Sequence, residues 1–500
     1  MRKRLLINYM IIKEDIDTIT PYLSDGSNLS GSAEKVYLPE SAEELSAAVQ
    51  ECGLINTRIT VSGGGTGLTG GRIPTGGAII STERLNSIID LDEKRRIVRV
   101  QAGILLKDLN ESLAERNLFY APNPTEILGS IGGNIATNAS GSRTFKYGQT
   151  RSHVLALKMA LASGELFQLS RGENMITGGR GRLLTPKGHA YDIFTDNITS
   201  NNIKNAAGYH LRRDMDMIDL FIGSEGTLAI TTEAELKVQV IPEKVISGIV
   251  FFSSYSPLFE FTEEVCERSK YNNQMDYRAV RDISARVVEF FDSESLDLLR
   301  TKYAHIPKSA IGAIWFEQEV ALEDESHVLD KWITKIIKST DLSEHTWIAQ
   351  TEKQQQEFTE FRHALPLMIN DIIFGNNQQK IGTDTAVPQG EAHGVFVHLK
   401  MGLSAMGLRH VIFGHISSNH FHSDIFYQND DERRKALEFY RLALKKAVAA
   451  GGTISAEHGI GKLKREYLPI MYTTAQIDIM KKIKRTLDPS LLLGMGNLFA

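Results

Sequence analysis

From Lys35 to about Pro242, short β-branched runs alternate with glycine-rich turns and a few helical stretches. Alternating and continuous apolar runs predict strands at Arg58 to Val61, Ala78 to Ser81, Ile97 to Ala102, Val154 to Ala162 and Leu228 to Val240. One helix start is well marked. Ser41 stands as N-cap with Glu44 three residues on, the spacing of a capping box, ahead of Leu45, Val49 and Leu54. Between Arg171 and Asp219 the chain turns polar and rich in Gly and Asn, which predicts a long excursion over the surface or over a bound ligand. A different texture begins at Lys244, with a strand at Gly248 to Phe252 and helices at Leu322 to Ser339 and Gln354 to Asp371. Helical periodicity returns at Asp431 to Ala450 and Thr474 to Leu487. The pattern is that of an α+β protein without internal repeats, divided at about 33–242, 243–410 and 411–500.

Composition narrows the class. The chain has 500 residues, enough for several domains and for a core able to enclose a large cofactor. With 23% charged residues, a formal net charge of −5 and no long block of one sign, nucleic acid is not an expected partner. The two cysteines, Cys52 and Cys266, stand far apart, which leaves no disulfide framework and no iron–sulfur or zinc–thiolate site. The start, MRKRLLINYMIIKEDID, is basic, but Asn8 breaks its apolar part and no small-residue cleavage site follows. A cytoplasmic protein is expected, and peripheral membrane association is compatible with the basic first turn. No run approaches the roughly 18 apolar residues of a membrane span.

Straight after a predicted strand comes VSGGGTGLTGG, Val61 to Gly71, which contains G-x-G-x-x-G at Gly65, Gly67 and Gly70. A dinucleotide-binding turn of the Rossmann type needs a helix to open at the third glycine. Here Gly71, Pro74, Gly76 and Gly77 follow, and then another strand. What remains is a loop of exposed backbone N–H groups able to cradle a pyrophosphate, or a tight hairpin with no ligand. A second cluster, PNPTEILGSIGGNIATNASG from Pro122 to Gly141, is followed by Tyr147 and Gly148. A third, GSEGTLAIT, runs from Gly223 to Thr231. Three such loops suit three parts of one long ligand.

Taken in order, these strings resemble the FAD-binding domain of the vanillyl-alcohol oxidase and p-cresol methylhydroxylase (PCMH) superfamily. The resemblance is to its D-lactate dehydrogenase, glycolate oxidase flavin-subunit and D-2-hydroxyglutarate dehydrogenase branch. It implies a two-subdomain PCMH-type FAD-binding domain, an α/β cap for the substrate, and a C-terminal helical segment that carries the metal and catalytic motifs and returns to the FAD domain. It also implies that Gly63, Gly64, Gly65, Thr66, Gly67, Leu68 and Thr69 wrap the pyrophosphate. Ser130, Ile131, Gly132, Gly133, Asn138, Gly141, Tyr147 and Gly148 would line the ribityl chain and isoalloxazine, with Glu225, Gly226 and Ile230 closing the adenine side and Pro122 a further cofactor-binding residue. Members with covalent flavin present a His or Cys near these loops. Neither occurs between Cys52 and His153, so FAD is expected to be held non-covalently.

The last third pairs GHISSNHFH, Gly414 to His422, with GGTISAEHGIGK, Gly451 to Lys462. The chain has 14 histidines, yet positions 415, 420 and 422 take three of them. Two imidazoles and a carboxylate with open coordination positions form a catalytic divalent-metal site. Histidines hydrogen-bonded in a core are the equal alternative on composition. His415 and His422 would face opposite ways in one flat strand, so a shared ligand demands a bulge or bend. Glu457 and His458 are adjacent and would diverge along an extended backbone.

These strings resemble the same family's GHxGDGNxH and GEHGIG. The resemblance implies His415, His422 and Glu457 as ligands of a divalent Zn, Mn or Fe ion, and His458 as catalytic base. Arg362, in EFTEFRHALP, would hold the substrate carboxylate, a solvated helix charge being the plainer reading. Lys380 to Pro388, KIGTDTAVP, resembles a segment that enters the pocket and reads equally as a plain strand. Two departures stand out. Ser417, Ser418, Asn419 and His420 replace Gly-Asp-Gly-Asn, and Gly494, Met495, Gly496 and Asn497 replace Asn-Pro-Gly-Lys.

The implied enzyme is an FAD-dependent dehydrogenase that oxidises a D-2-hydroxy acid, such as D-lactate, glycolate or D-2-hydroxyglutarate, by proton abstraction and hydride transfer to flavin N5. Its electrons would leave to a quinone, an electron-transfer protein or a partner subunit, and a homodimer is compatible with it. The alternatives are a flavin-dependent transferase like alkylglycerone-phosphate synthase, which shares the FAD domain, and a flavoprotein whose metal site has decayed.

Overall fold

Ser41 caps the helix Ala42–Leu54 by accepting the Glu44 amide at 3.2 Å. The Glu44 carboxylate accepts from the Glu40 amide instead of Ser41, so the reciprocal half of the capping box forms one residue upstream. In this computed structural model, which describes residues 10–195, 203–375 and 378–499, the helix buries Leu45, Val49 and Cys52 against the first sheet. That sheet runs Ile11–Lys13, Lys35–Leu38, Ala78–Ser81, Ile59–Ser62, with its last three strands parallel. The basic residues 1–9 lie outside the described residues, as do 196–202 within the polar excursion.

A second sheet of five antiparallel strands follows, centred on Ile230–Lys237, which pairs with Ile97–Gln101 on one side and Val154–Ala160 on the other. Its alternating burial gives one packed face. The polar excursion is partly structured: Arg180–Leu184 and Ala190–Phe194 form a hairpin, and Met175–Ile176 pairs with Met215–Asp216. The C-terminal helix Thr474–Leu487, closed by a full capping box at Thr473, packs Met480, Ile483 and Leu487 into the core of this domain.

The cap is an antiparallel sheet in the order Trp347–Ile348, Lys244–Phe252, Gly312–Val320, Ala285–Phe291, His410–Gly414, His420–Tyr427, Gln379–Gly382. Helices Tyr255–Asn272, Glu325–Ser339, Ala392–Ala405 and Asp430–Ala449 cover one face. The helix Glu352–Gly375 covers part of the other through Phe358, Phe361 and Leu365. The expected boundary at 410/411 therefore falls inside a strand. The histidine motif is hydrogen-bonded into the cap sheet, a long-range pairing that local pattern does not express. Both cysteines are buried and free, and no described helix is long and apolar enough to cross a membrane.

Candidate active site

Three loops meet beyond the strand Ile59–Ser62 and line one cleft. Gly63, Gly64, Gly65, Thr66, Gly67 and Thr69 come from the first loop, Ser130, Gly132 and Gly133 from the second, and Glu225, Gly226 and Ile230 from the third. No helix opens at Gly70; the chain runs on to the strand Ala78–Ser81. Among the described residues, the amides of Gly64, Gly65, Thr66 and Gly67 find no acceptor inside the protein. Four N–H groups without protein partners along the lining of one cleft can make an anion cradle. A Cβ on Gly64 would stand 2.4 Å from the Leu128 carbonyl oxygen, so the loops close up only because no side chain is there. The cleft thus fits a long phosphate-bearing cofactor.

Six expected cofactor residues and Leu68 do not line this cleft. Leu68 is half exposed, and Ile131 is buried in the domain core. Asn138 ends the helix Ile131–Thr137 in the left-handed region and accepts the Arg151 amide at 3.0 Å. Pro122, Gly141, Tyr147 and Gly148 lie on the segments leading to the cap, where the Tyr147 hydroxyl donates to Glu319. Glu225 accepts the amides of Ile460 and Gly461 at 2.7 Å each, tying the cleft to the AEHGIGK loop. Burial pushes its carboxyl up to about 7. The departed tail still closes on the cleft: Asn497 donates to the Gly71 carbonyl at 2.8 Å and accepts from Lys462 at 2.6 Å.

The histidines converge on the cap side. Gly414 at φ 147° and Asn419 in the left-handed region turn the chain between the two strands, and Phe413 pairs with His422. This hairpin supplies the bend that His415 and His422 need in order to share a partner. The Nε2 atoms of both lie 3.3 Å from Glu457 Oε1. Ligand atoms of His415, His420, His422 and Glu457 all fall within 4.8 Å of one another. Glu457 and His458 do not diverge as an extended backbone would have them do. Their segment is a loop, His458 Nε2 lies 3.8 Å from Glu457 Oε1, and the His458 ring stacks on His422.

Four partners in this site were not apparent from the sequence. Asp384, fully buried, accepts from His420 Nε2 at 2.8 Å, from Ser455 at 2.7 Å, from the His458 amide at 2.9 Å and from Lys464 at 3.1 Å, and lies 3.5 Å from His458 Nδ1. Lys204, from the polar excursion, donates to Glu457 Oε2 at 2.6 Å and to His420 Nδ1 at 3.1 Å. Both ring nitrogens of His420 are thus hydrogen-bonded, one to Asp384 and one to Lys204. Ser140 donates to Glu457 at 2.9 Å, and Glu289 bridges His415 Nδ1 and Arg362 Nε. Only the KIGTDTAVP resemblance hinted at any of these.

Burial raises the carboxyls of Asp384 and Glu457, but the neighbouring cations and imidazoles outweigh it and hold both well below the ordinary range. Burial also pulls the His458 imidazole down to about 4, so its ring is neutral near pH 7. Arg362 is buried rather than a solvated helix charge, and its Nη1 has no hydrogen-bond partner. The donor set fits a divalent ion: two imidazole Nε2 atoms and one carboxylate oxygen lie close together in a largely buried space.

The FAD binding domain family model matches residues 33–170, and the model for the C-terminal domain of FAD linked oxidases matches residues 277–498. The glycolate oxidase subunit GlcD of Bacillus subtilis is 30% identical over 93% of this chain and 88% of its own. The chain belongs to the FAD-linked oxidase family. This FAD-linked oxidoreductase is also 27% identical to the D-lactate dehydrogenase of Anaerostipes hadrus, over 95% of this chain and 92% of that one. It is 28% identical to the D-2-hydroxyglutarate dehydrogenase of Xanthomonas citri, over 93% and 89%. Among solved structures, 4-ethylphenol oxidase from Gulosibacter chungangensis shares the fold of this oxidase at a TM-score of 0.68, with 14% identity, over 98% of this chain and 94% of that one. An alkyldihydroxyacetonephosphate synthase does so at 0.67, with 17% identity, over 98% and 83%.

Proposed function

We propose that this oxidase converts a small D-2-hydroxy acid to its 2-oxo acid, with non-covalently held FAD as first electron acceptor. His415, His422 and Glu457 would hold a divalent zinc, manganese or iron ion. The observation that carries the reading is Arg362, a buried guanidinium with Nε committed to Glu289 and Nη1 unpartnered, linked through Glu289 to the histidine cluster. A substrate carboxylate is the group that satisfies such a donor. The names of the relatives, lactate, glycolate and 2-hydroxyglutarate enzymes, agree with a 2-hydroxy acid.

His458, unprotonated near neutral pH, accepts the substrate hydroxyl proton at Nε2. Asp384, 3.5 Å from Nδ1, orients the ring and stabilises the imidazolium. When bound, FAD supplies the hydride acceptor and the ion a Lewis acid that lowers the hydroxyl pKa. Non-covalent attachment is supported by the cleft lining, which contains no His or Cys among the described residues, and by His153, whose two ring nitrogens both face backbone carbonyls. Electrons then pass to a quinone, an electron-transfer protein or a partner subunit.

The test is anaerobic bleaching of the flavin band near about 450 nm by D- and L-hydroxy acids, before and after chelation. Bleaching by one D-acid, lost on chelation, is expected. Yellow protein that no acid bleaches would overturn the reading and point to the transferase. Bleaching that survives chelation would keep the oxidation and remove the ion, as in a decayed metal site.

A further inference from the structure

We infer that Glu289 is a positioning residue that selects the His415 tautomer and fixes the Arg362 guanidinium, making the ion site and the substrate clamp one mechanical unit. The inference rests on the function proposed above. Glu289 sits in the strand Ala285–Phe291 with no exposed surface. On the same face of the sheet, Val287, Phe291 and the directly opposed Trp315 form an apolar cluster. Sheet packing alone would therefore favour an apolar side chain at 289, since a buried carboxylate without partners is strongly unfavourable.

Both carboxylate oxygens are committed. Oε1 accepts a hydrogen bond from His415 Nδ1, and Oε2 accepts one from Arg362 Nε at 2.7 Å. A carboxylate can only accept, so it keeps a hydrogen on Nδ1 and makes Nε2, 3.3 Å from Glu457 Oε1, the ring atom that would ligate an ion. The same anchor holds Arg362 by its Nε edge and leaves Nη1 free for an anion. The two groups come from a helix and a hairpin far apart in the chain, and Glu289 hydrogen-bonds to both.

The variant Glu289→Gln tests this, because an amide offers one acceptor and one donor and cannot serve both partners. FAD-loaded wild type, Glu289→Gln and Glu289→Asp would be compared for Mn2+ affinity without substrate, for KM and kcat with the bleaching acid, and for FAD affinity. We expect Mn2+ affinity to fall about 10- to 100-fold in Glu289→Gln, as for other carboxylates behind a metal-bound histidine. KM should rise with it, while FAD affinity stays within about twofold because the residue is outside the FAD cleft. A variant with wild-type Mn2+ affinity and KM would reduce Glu289 to a structural filler. Should Glu289→Gln not fold, Glu289→Asp and the 15N spectrum of His415 in the ion-free wild type decide, since a ring with no proton on Nδ1 would sink the inference. Wild-type protein that neither binds Mn2+ nor is bleached by any acid overturns the functional reading and this inference together. Wild type that does both beside an unaffected variant overturns the inference alone.

Discussion

His458 is held from two sides by one carboxylate: Asp384 accepts its amide and faces its Nδ1. General-base catalysis contributes about 10²–10⁴-fold, so His458→Ala should lower the rate of flavin bleaching by that factor while the flavin-to-protein ratio stays at the wild-type value. Bleaching at the normal rate would remove His458 from the chemistry. That His415, His422, Glu457 and His458 belong to one candidate site was legible in the sequence, because a histidine excess is unusual in a short window and both motifs resemble those of one family. Asp384, Glu289 and Lys204 were not, because each is an ordinary residue in a strand or polar loop. Their charge acquires meaning only from what folds against it.

At the scale of elements, loops and hairpins transmit the geometry. The Gly414 turn places a would-be Cβ 2.5 Å from the His420 carbonyl oxygen. Gly414→Ala should therefore cost about 1–3 kcal/mol in urea unfolding and weaken divalent-ion binding, and a variant with unchanged stability would show that the turn relaxes freely. The Glu225 tie between the cleft and the AEHGIGK loop has a pH signature. Its folded carboxyl, pushed up by burial to about 7 from an ordinary 4.5, binds more protons than the unfolded one across that window, so this group's stabilisation is present at low pH and is lost as pH rises. The stability of wild-type apoprotein relative to Glu225→Gln should be lower at pH 8 than at pH 5, by on the order of 1–3 kcal/mol. An equal difference at both pH values would mean the carboxyl titrates normally.

Across the whole molecule, the FAD domain and the cap meet through charge. Lys146 donates to Glu319 at 2.7 Å with both side chains nearly buried, and Arg286 lies 3.2 Å from the same carboxylate. Removing the ammonium leaves a buried anion short of one partner. Lys146→Met should cost about 1.5–3 kcal/mol, seen as a lower thermal midpoint of the apoprotein. A midpoint equal to that of wild type would mean that Arg286 and Tyr147 suffice to hold Glu319.

What the sequence by itself determined is local: strand and helix positions, the glycine loops and the histidine-rich motifs. These are written in residues whose backbone freedom or chemistry is special wherever they occur. Tertiary structure decided that the strands His410–Gly414 and His420–Tyr427 belong to the cap sheet, and that the polar excursion delivers Lys204 to Glu457. It also brought His415 onto Glu289, 126 residues away. The physical reason is that strand pairing and ion pairing are long-range choices: a polar side chain carries its charge in the sequence, but its partner is set by which distant surface packs against it.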